Sequence, residues 1–273
     1  MAIKTPPLAC SNCNLRSICM PVGMGVGERR RLDTLVKVRR KVAKGQTLFN
    51  AGLQFRSVFA VRSGVFKTIL LHEDGREQVT GFHMSGDMIG MDGIVEDNHQ
   101  CDAVALEDAE VCEIPFAQMG KIAHEIPLMQ HHLHRIMSRE IVRESMVMLL
   151  LGHAQADERL AAFFVNLGQR MHARGFSGTR MVLRMTRQEL GSYLALTVET
   201  VSRTLTKFSR AGVLSVGGRD VHILDGNALQ SAGKGQQLGA TLLPLTSGRR
   251  AQAGQTDPCS GTTTRRCNSR SMR

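Results

Sequence analysis

Three cysteines crowd the stretch "ACSNCNLRSICMP", which runs from Ala9 to Pro21: Cys10, Cys13 and Cys19. Thiols at this spacing can bind soft metal ions or iron–sulfur clusters, or pair as disulfides. The chain has seven cysteines, the others being Cys101, Cys112, Cys259 and Cys267. That count is odd, and no apolar signal core opens the sequence, so a reducing, cytoplasmic setting without a disulfide framework is expected. Ligation then remains. Cys10-x2-Cys13-x5-Cys19 supplies three thiolates, and a four-thiolate set needs one more from elsewhere. Cys259-x7-Cys267 has no ligand spacing of this kind. His131, His132 and His134 are close in sequence, but on a helix they point different ways, which suits a solvated or interfacial face better than a metal site.

A second stretch with chemical content is "MTRQELGSYLALTVETVSRTLTKFSRAGVL", Met185–Leu214. Thr186-x-x-Glu189 is a capping box, in which the hydroxyl accepts from a free backbone N–H and the carboxylate reaches back. Leu190 and Leu194 give a short apolar face, Ala195-Leu196 a turn, and Thr197 a second N-cap. Val198, Val201, Leu205 and Phe208 then mark the apolar stripe of a second helix. Glu199, Ser202 and Arg203 stand together on its other side. This is a helix-turn-helix whose second helix offers its first turns to the major groove of double-stranded DNA. Arg203 can fork onto guanine O6 and N7, Glu199 can accept from the cytosine amino group, and Ser202 can bond base or phosphate. "VLSVGGRDVHIL" (Val213–Leu224) adds two short strands around Gly217-Gly218, the wing of a winged helix.

The elements ahead of this motif fall into two kinds. Residues 40–115 read as short strands broken by frequent glycines, with an Asp74-Gly75 hairpin, which is the pattern of an antiparallel β-roll. After Pro115 the period changes. Pro127 suits a first helical turn, and Met129, Leu133, Ile136, Glu140, Arg143, Val147 and Leu150 follow in steps of four and three. This a/d-like seam is expected to join two chains, with Ile141 and Glu144 beside it. Acidic groups brought face to face across a two-fold axis repel, so such a homodimer is poised rather than tight. Asp157–Gly175 is helical again, with Gly175 as its stop. Charge follows the same division. Residues 1–152 hold 18 Lys and Arg against 17 Asp and Glu, residues 153–230 hold 10 against 6, and residues 231–273 hold 7 against 1. A basic rear half fits a polyanionic partner. The fold class expected is α+β: a loop with three candidate thiol ligands (1–28), a β-roll domain (29–115), a long dimerisation helix (116–152), a winged helix-turn-helix (153–230) and a basic tail (231–273) whose low content of bulky apolar residues suits disorder.

Several stretches resemble the Crp–Fnr transcription regulators, and among them the oxygen-responsive FNR/ANR branch. They are "KGQTLFNAG" (Lys44–Gly52), "RSG" (Arg62–Gly64), "GFHMSGD" (Gly81–Asp87), "VCEIPF" (Val111–Phe116), "ERLAAF" (Glu158–Phe163) and "LTVETVSR" (Leu196–Arg203). The resemblance runs from about Ala9 to about Leu229. It implies a sensory β-roll of the cyclic-nucleotide-binding kind, a dimer helix and a winged helix. It also implies that Cys10, Cys13, Cys19 and Cys112 hold a [4Fe–4S] cluster, lost in O2 with release of the dimer from DNA. Asn14 and Ile18, lying between ligands, would govern how fast oxygen enters. The implied target is of the TTGAT-N4-ATCAA type, with Val198 touching a thymine methyl group, and RNA polymerase is a further expected partner. Cys101 falls outside the motif and is expected to be a buried thiol.

Rival functions fit less well. Relatives that bind cyclic AMP need an arginine for the cyclic phosphate, yet Ser85–Leu106 contains none, while Asp92, Glu96, Asp97 and Asp102 repel a phosphodiester. A four-cysteine zinc site on the same scaffold usually shows two CxxC pairs, and only Cys10-x2-Cys13 qualifies here. An enzyme or electron carrier is not expected, since no second cluster motif, dinucleotide-binding glycine pattern or nucleophile elbow is present. No apolar run reaches the eighteen residues that a membrane span requires.

Overall fold

The computed structural model describes residues 10, 13, 15, 19–21, 23–33 and 38–233. Asn14, Ile18, Cys259, Cys267 and the rest of the basic tail lie outside the described residues. A short helix, α1 (Val26–Asp33), leads into the strands β1 (Val38–Val42), β2 (Thr47–Phe49), β3 (Ser57–Ser63), β4 (Val65–Leu71), β5 (Glu77–Met84), β6 (Met88–Ile89), β7 (Asp102–Ala105) and β8 (Ala109–Pro115). They form two four-stranded antiparallel sheets, in the orders β1-β8-β3-β6 and β2-β7-β4-β5. Between them lies a core that includes Leu48, Phe49, Phe59, Val61, Phe66 and Val111.

The turn at Ser63-Gly64 is a corner rather than a hairpin. Strands β3 and β4 run on into different sheets. Gly64 has φ +85°, and a Cβ there would lie 2.6 Å from that of Ala109, so the crossing of the two sheets demands glycine. The expected hairpin lies at Asp74-Gly75, where β4 and β5 pair from Val65↔Met84 to Leu71↔Glu77.

Two helices follow, α2 (Phe116–Glu125) and the long α3 (Pro127–His153), with Pro127 at the first helical position, where its missing N–H costs nothing. The rear unit holds α4 (Ala156–His172), β9 (Arg180–Val182), α5 (Arg187–Leu194), α6 (Val198–Arg210), β10 (Leu214–Gly217), β11 (Asp220–Ile223) and α7 (Gly226–Ala232). Its sheet runs β10-β11-β9.

The rear unit does not hang free. Val79, Phe82 and Leu106 of the β-roll share one hydrophobic cluster with Leu160, Phe164, Leu190 and Val201. Polar contacts frame that seam. Lys67 Nζ donates to Glu189 Oε1 at 2.7 Å, and the Val79 amide donates to Ser192 Oγ at 2.9 Å. Asp87 is clasped between Arg170 and Arg174. Burial alone would raise the Asp87 carboxyl, but the two guanidiniums outweigh it and hold its pKa at about 2.

Candidate functional site: a thiol cluster and a DNA-reading helix

Cys112 sits in the middle of β8, paired with Arg39 on β1 and Ala60 on β3. Its neighbour Val111 fills the roll's interior, so alternation along the strand turns Cys112 to the outer face. The N-terminal segment lies over that face. Met20, Met24 and Leu32 pack on Ala123, Ile126 and Met129 where α2 meets α3, with Cys10, Ile114 and Leu133 at the edge of the same cluster. His132, buried on α3, lies beside the Cys19 backbone. Two apolar methionines and one imidazole thus anchor the cysteine segment to the base of the long helix.

The four expected ligands feel one another. Burial and the neighbouring Cys112 raise the Cys10 pKa to about 11, while burial and Cys13 raise that of Cys19 to about 12. Burial and Cys13 also raise Cys112. Free thiols so placed stay protonated at neutral pH, and four thiolates become stable there only around a strongly cationic centre. Among the described residues, no three His, Cys, Asp or Glu converge tightly enough to hold a single metal ion. Cations border the space. Arg39 and Arg62 both oppose the rise at Cys112, and Arg62 pairs with Glu110 and reaches Cys13. The Nε of Arg39 is buried without a hydrogen-bond partner. A buried donor left unpaired costs on the order of 1–3 kcal/mol, so it points to an acceptor that belongs beside it. The donor set therefore fits a thiolate-held cluster.

Cys101 is separate from this group. It lies in the β-roll core, and its thiol donates to Asp92 Oδ2 at 3.5 Å. Asp92 also accepts from the Gln100 amide at 2.8 Å, and His99 stacks on Phe49 with ring centroids 3.8 Å apart.

At the other end, the expected capping box is formed: Glu189 N donates to Thr186 Oγ1 at 3.1 Å, and Thr186 N donates to Glu189 Oε2 at 2.7 Å. Thr197 Oγ1 accepts from Thr200 N at 3.2 Å, capping α6. The turn between α5 and α6 is tight. Ala195 is left-handed at φ +51°, and a Cβ on Gly191 would lie 2.5 Å from the Leu196 carbonyl oxygen. Val201, Leu205 and Phe208 are buried, whereas Val198 stands outside the core at 46% exposure. Glu199 and Arg203 are exposed and 3.9 Å apart, and Arg187 Nη1 donates to Ser202 Oγ at 3.1 Å. Glu199, Ser202 and Arg203 line a groove on the open side of α6 that Thr206, Lys207 and Arg210 continue, and Val198 stands exposed at the head of the same helix.

One structural tie escapes any reading of spacing. Arg159, in the first turn of α4, donates from Nη2 to Leu151 O at 2.8 Å and from Nε to Ala154 O at 2.8 Å. Its Nη1 donates to Leu194 O at 3.0 Å and to Ala195 O at 3.4 Å. A single guanidinium thereby ties the end of α3, the hinge and the bend of the helix-turn-helix.

The expected interface residues of α3 are divided. Leu133 packs into the chain's own clusters, and Ile136 and Val147 are half-buried. Glu140 pairs with Arg143 and feels Asp87 and Arg170. Most of the seam read from the sequence is therefore turned inward. Ile141, at 64% exposure, and Glu144 face out, in line with Met137 and with Met148 at 66%. That outer stripe also steps by four, three and four. It is rotated by about one residue, roughly 100°, from the inward one. The periodicity holds on both faces, so spacing alone could not decide between them.

Comparison with known proteins follows the same division of the chain. Residues 39–125 match the family model described as a cyclic nucleotide-binding domain, and residues 158–232 match the Crp-like helix-turn-helix domain. The transcriptional activator protein Anr of Pseudomonas aeruginosa is 44% identical over 234 residues, 86% of this chain and 96% of its own. The fumarate and nitrate reduction regulatory protein of Escherichia coli is 42% identical over 220 residues, 81% and 88%. The structure of FixK2 from Bradyrhizobium japonicum superposes with a TM-score of 0.66 at 28% identity, covering 71% of this chain and 96% of that one. The relatives and fold neighbours are transcription regulators, not enzymes. With this fold, this reading helix and these relatives, the chain belongs to the Crp/Fnr family of DNA-binding transcription regulators, in its FNR/ANR branch.

Proposed function

We propose that this regulator is an oxygen-responsive activator in which Cys10, Cys13, Cys19 and Cys112 hold a [4Fe–4S] cluster that favours the DNA-binding dimer when oxygen is absent. The packing of the N-terminal cysteine segment where α2 meets α3, beside Cys112 on the outer face of β8, carries this reading. When bound, the cluster supplies an oxygen-sensitive redox centre on thiolate ligands. The chain's own residues do the rest. Met20, Met24 and His132 transmit the order of the cysteine segment to the long helix. The stripe of Met137, Ile141, Glu144 and Met148 meets its copy in the homodimer, flanked by Leu133, Ile136, Glu140 and Val147. Apposed Glu144 carboxylates weaken that contact, so a modest stabilising signal shifts the population between monomer and dimer.

Only a dimer sets two α6 helices about one DNA turn apart, as a palindrome of the TTGAT-N4-ATCAA type requires. Val198, Glu199, Ser202 and Arg203 read its half-sites, and RNA polymerase is the partner through which binding activates. A cyclic nucleotide is not the expected effector, because Ser85–Leu106 offers no arginine to a cyclic phosphate and carries Asp92, Glu96, Asp97 and Asp102. The cytoplasm is the setting, and no described helix is long and apolar enough to cross a membrane. A zinc site is not favoured, because its usual signature is two CxxC pairs and only Cys10-x2-Cys13 qualifies.

The test is anaerobic purification with absorbance, iron and sulfide analysis, repeated after exposure to air. About four irons and four sulfides per chain are expected, with tight operator binding that disappears in air. Colourless protein, or equal affinity in both conditions, would sink the reading.

A further inference from the structure

The buried, unpartnered Nε of Arg39 lies on the strand position directly opposite Cys112. Cross-strand partners in an antiparallel pair point to the same side, so the guanidinium shares the outer face of the roll with the thiol. Both Cys10 and Cys112 feel its charge. The nearby Arg62 differs, because its guanidinium is engaged by Glu110. Arg40, the next residue on β1, is exposed and faces the other side of the strand, opposite Val111.

We propose that Arg39 is part of the cofactor site, donating a hydrogen bond to a cluster sulfur and setting how readily the cluster gives up an electron. This rests on the cluster reading given above. Four thiolates leave such a cluster with a net negative charge, so a neighbouring guanidinium stabilises it most in its electron-rich state. Loss of one electron to dioxygen, which would leave as superoxide, would make the bound group less negative and weaken its attraction to Arg39. The residue therefore raises the reduction potential and slows loss of the cluster in air, through charge and sulfur hydrogen bonding together. It gives the orphaned donor an acceptor, which the protein alone does not.

The experiment compares wild type with Arg39→Gln, Arg39→Lys and Arg40→Gln, all isolated without air. Iron and sulfide content is measured first, then the decay of cluster absorbance on exposure to air, and the midpoint potential against mediator dyes. Arg39→Gln is expected to hold its iron and lose it in air roughly tenfold faster, the scale on which partners beyond the ligands act. Its potential should fall correspondingly, by about 59 mV for a tenfold change in a one-electron couple. Arg39→Lys should lie between, and Arg40→Gln should match wild type. An unchanged decay rate in fully loaded Arg39→Gln, or an equal acceleration in Arg40→Gln, would overturn the proposal. If both Arg39 variants fail to hold iron, an unaltered unfolding midpoint supports a place in the site. A lowered midpoint assigns Arg39 to the fold and overturns it. Wild-type protein without iron or sulfide would instead defeat the cluster reading itself.

Discussion

Around Cys112, polar groups outnumber their partners. Burial and mutual repulsion hold three thiols in their neutral form, and a guanidinium donor is buried beside them unspent. Around Arg203 the reverse holds: each helix start is capped, the bend is bonded by Arg159, and the reading side chains stand ready in solvent. Under the proposed function, the first region is completed by the cluster it binds, whereas the second is complete before it meets DNA. Sensitivity to a signal belongs in a site that is unfinished without its occupant, while accuracy of reading belongs in one that needs no rearrangement.

The contrast breaks most sharply at Cys112. Cys112→Ser should abolish both cluster colour and anaerobic operator binding while leaving the winged helix folded. Full iron retention would remove Cys112 from the ligand set and erase the difference between the two regions. Next in size is Arg203→Ala, expected to weaken a cognate palindrome by about 1–3 kcal/mol, the scale of a bidentate base contact, with little effect on random DNA. Equal losses on both, in competition binding at fixed salt, would make Arg203 a phosphate contact. Smallest is Glu144→Ala. By removing one repelling carboxylate per chain it should strengthen dimers in air by several-fold, within the range that nearby like charges produce in water. Sedimentation that finds the same monomer fraction as wild type would show that the long helix is not poised by charge.

Legibility in the sequence follows the range of the interactions. Thr186, Glu189, Thr197 and the Leu190–Leu194 pair act within one or two helical turns, so near neighbours along the chain suffice to place the reading motif. The Asp74-Gly75 hairpin is equally local. Three of the four thiols also declare themselves by spacing, but Cys112 lies about ninety residues away along the chain and is reached only through family resemblance. What brings it to the site is strand pairing, which no spacing rule encodes. The same holds for Arg39, visible only through its register with Cys112, and for Arg159, whose acceptors are carbonyls that every residue carries. On α3 the difficulty is ambiguity, since two apolar stripes one residue apart satisfy the same period, and only burial shows which belongs to the chain's own core.

The four carbonyls gathered by Arg159 also bear on DNA geometry. Because the end of the long helix and the bend ahead of α6 are pinned by one planar group, little slack separates the pairing element from the reading head. In the proposed dimer, the separation and phase of the two heads are then inherited from how the long helices cross, not adjusted after landing. Such a protein behaves as a fixed-span caliper: an operator whose half-sites are moved by even one base pair must itself bend or twist, or be held by one hand alone.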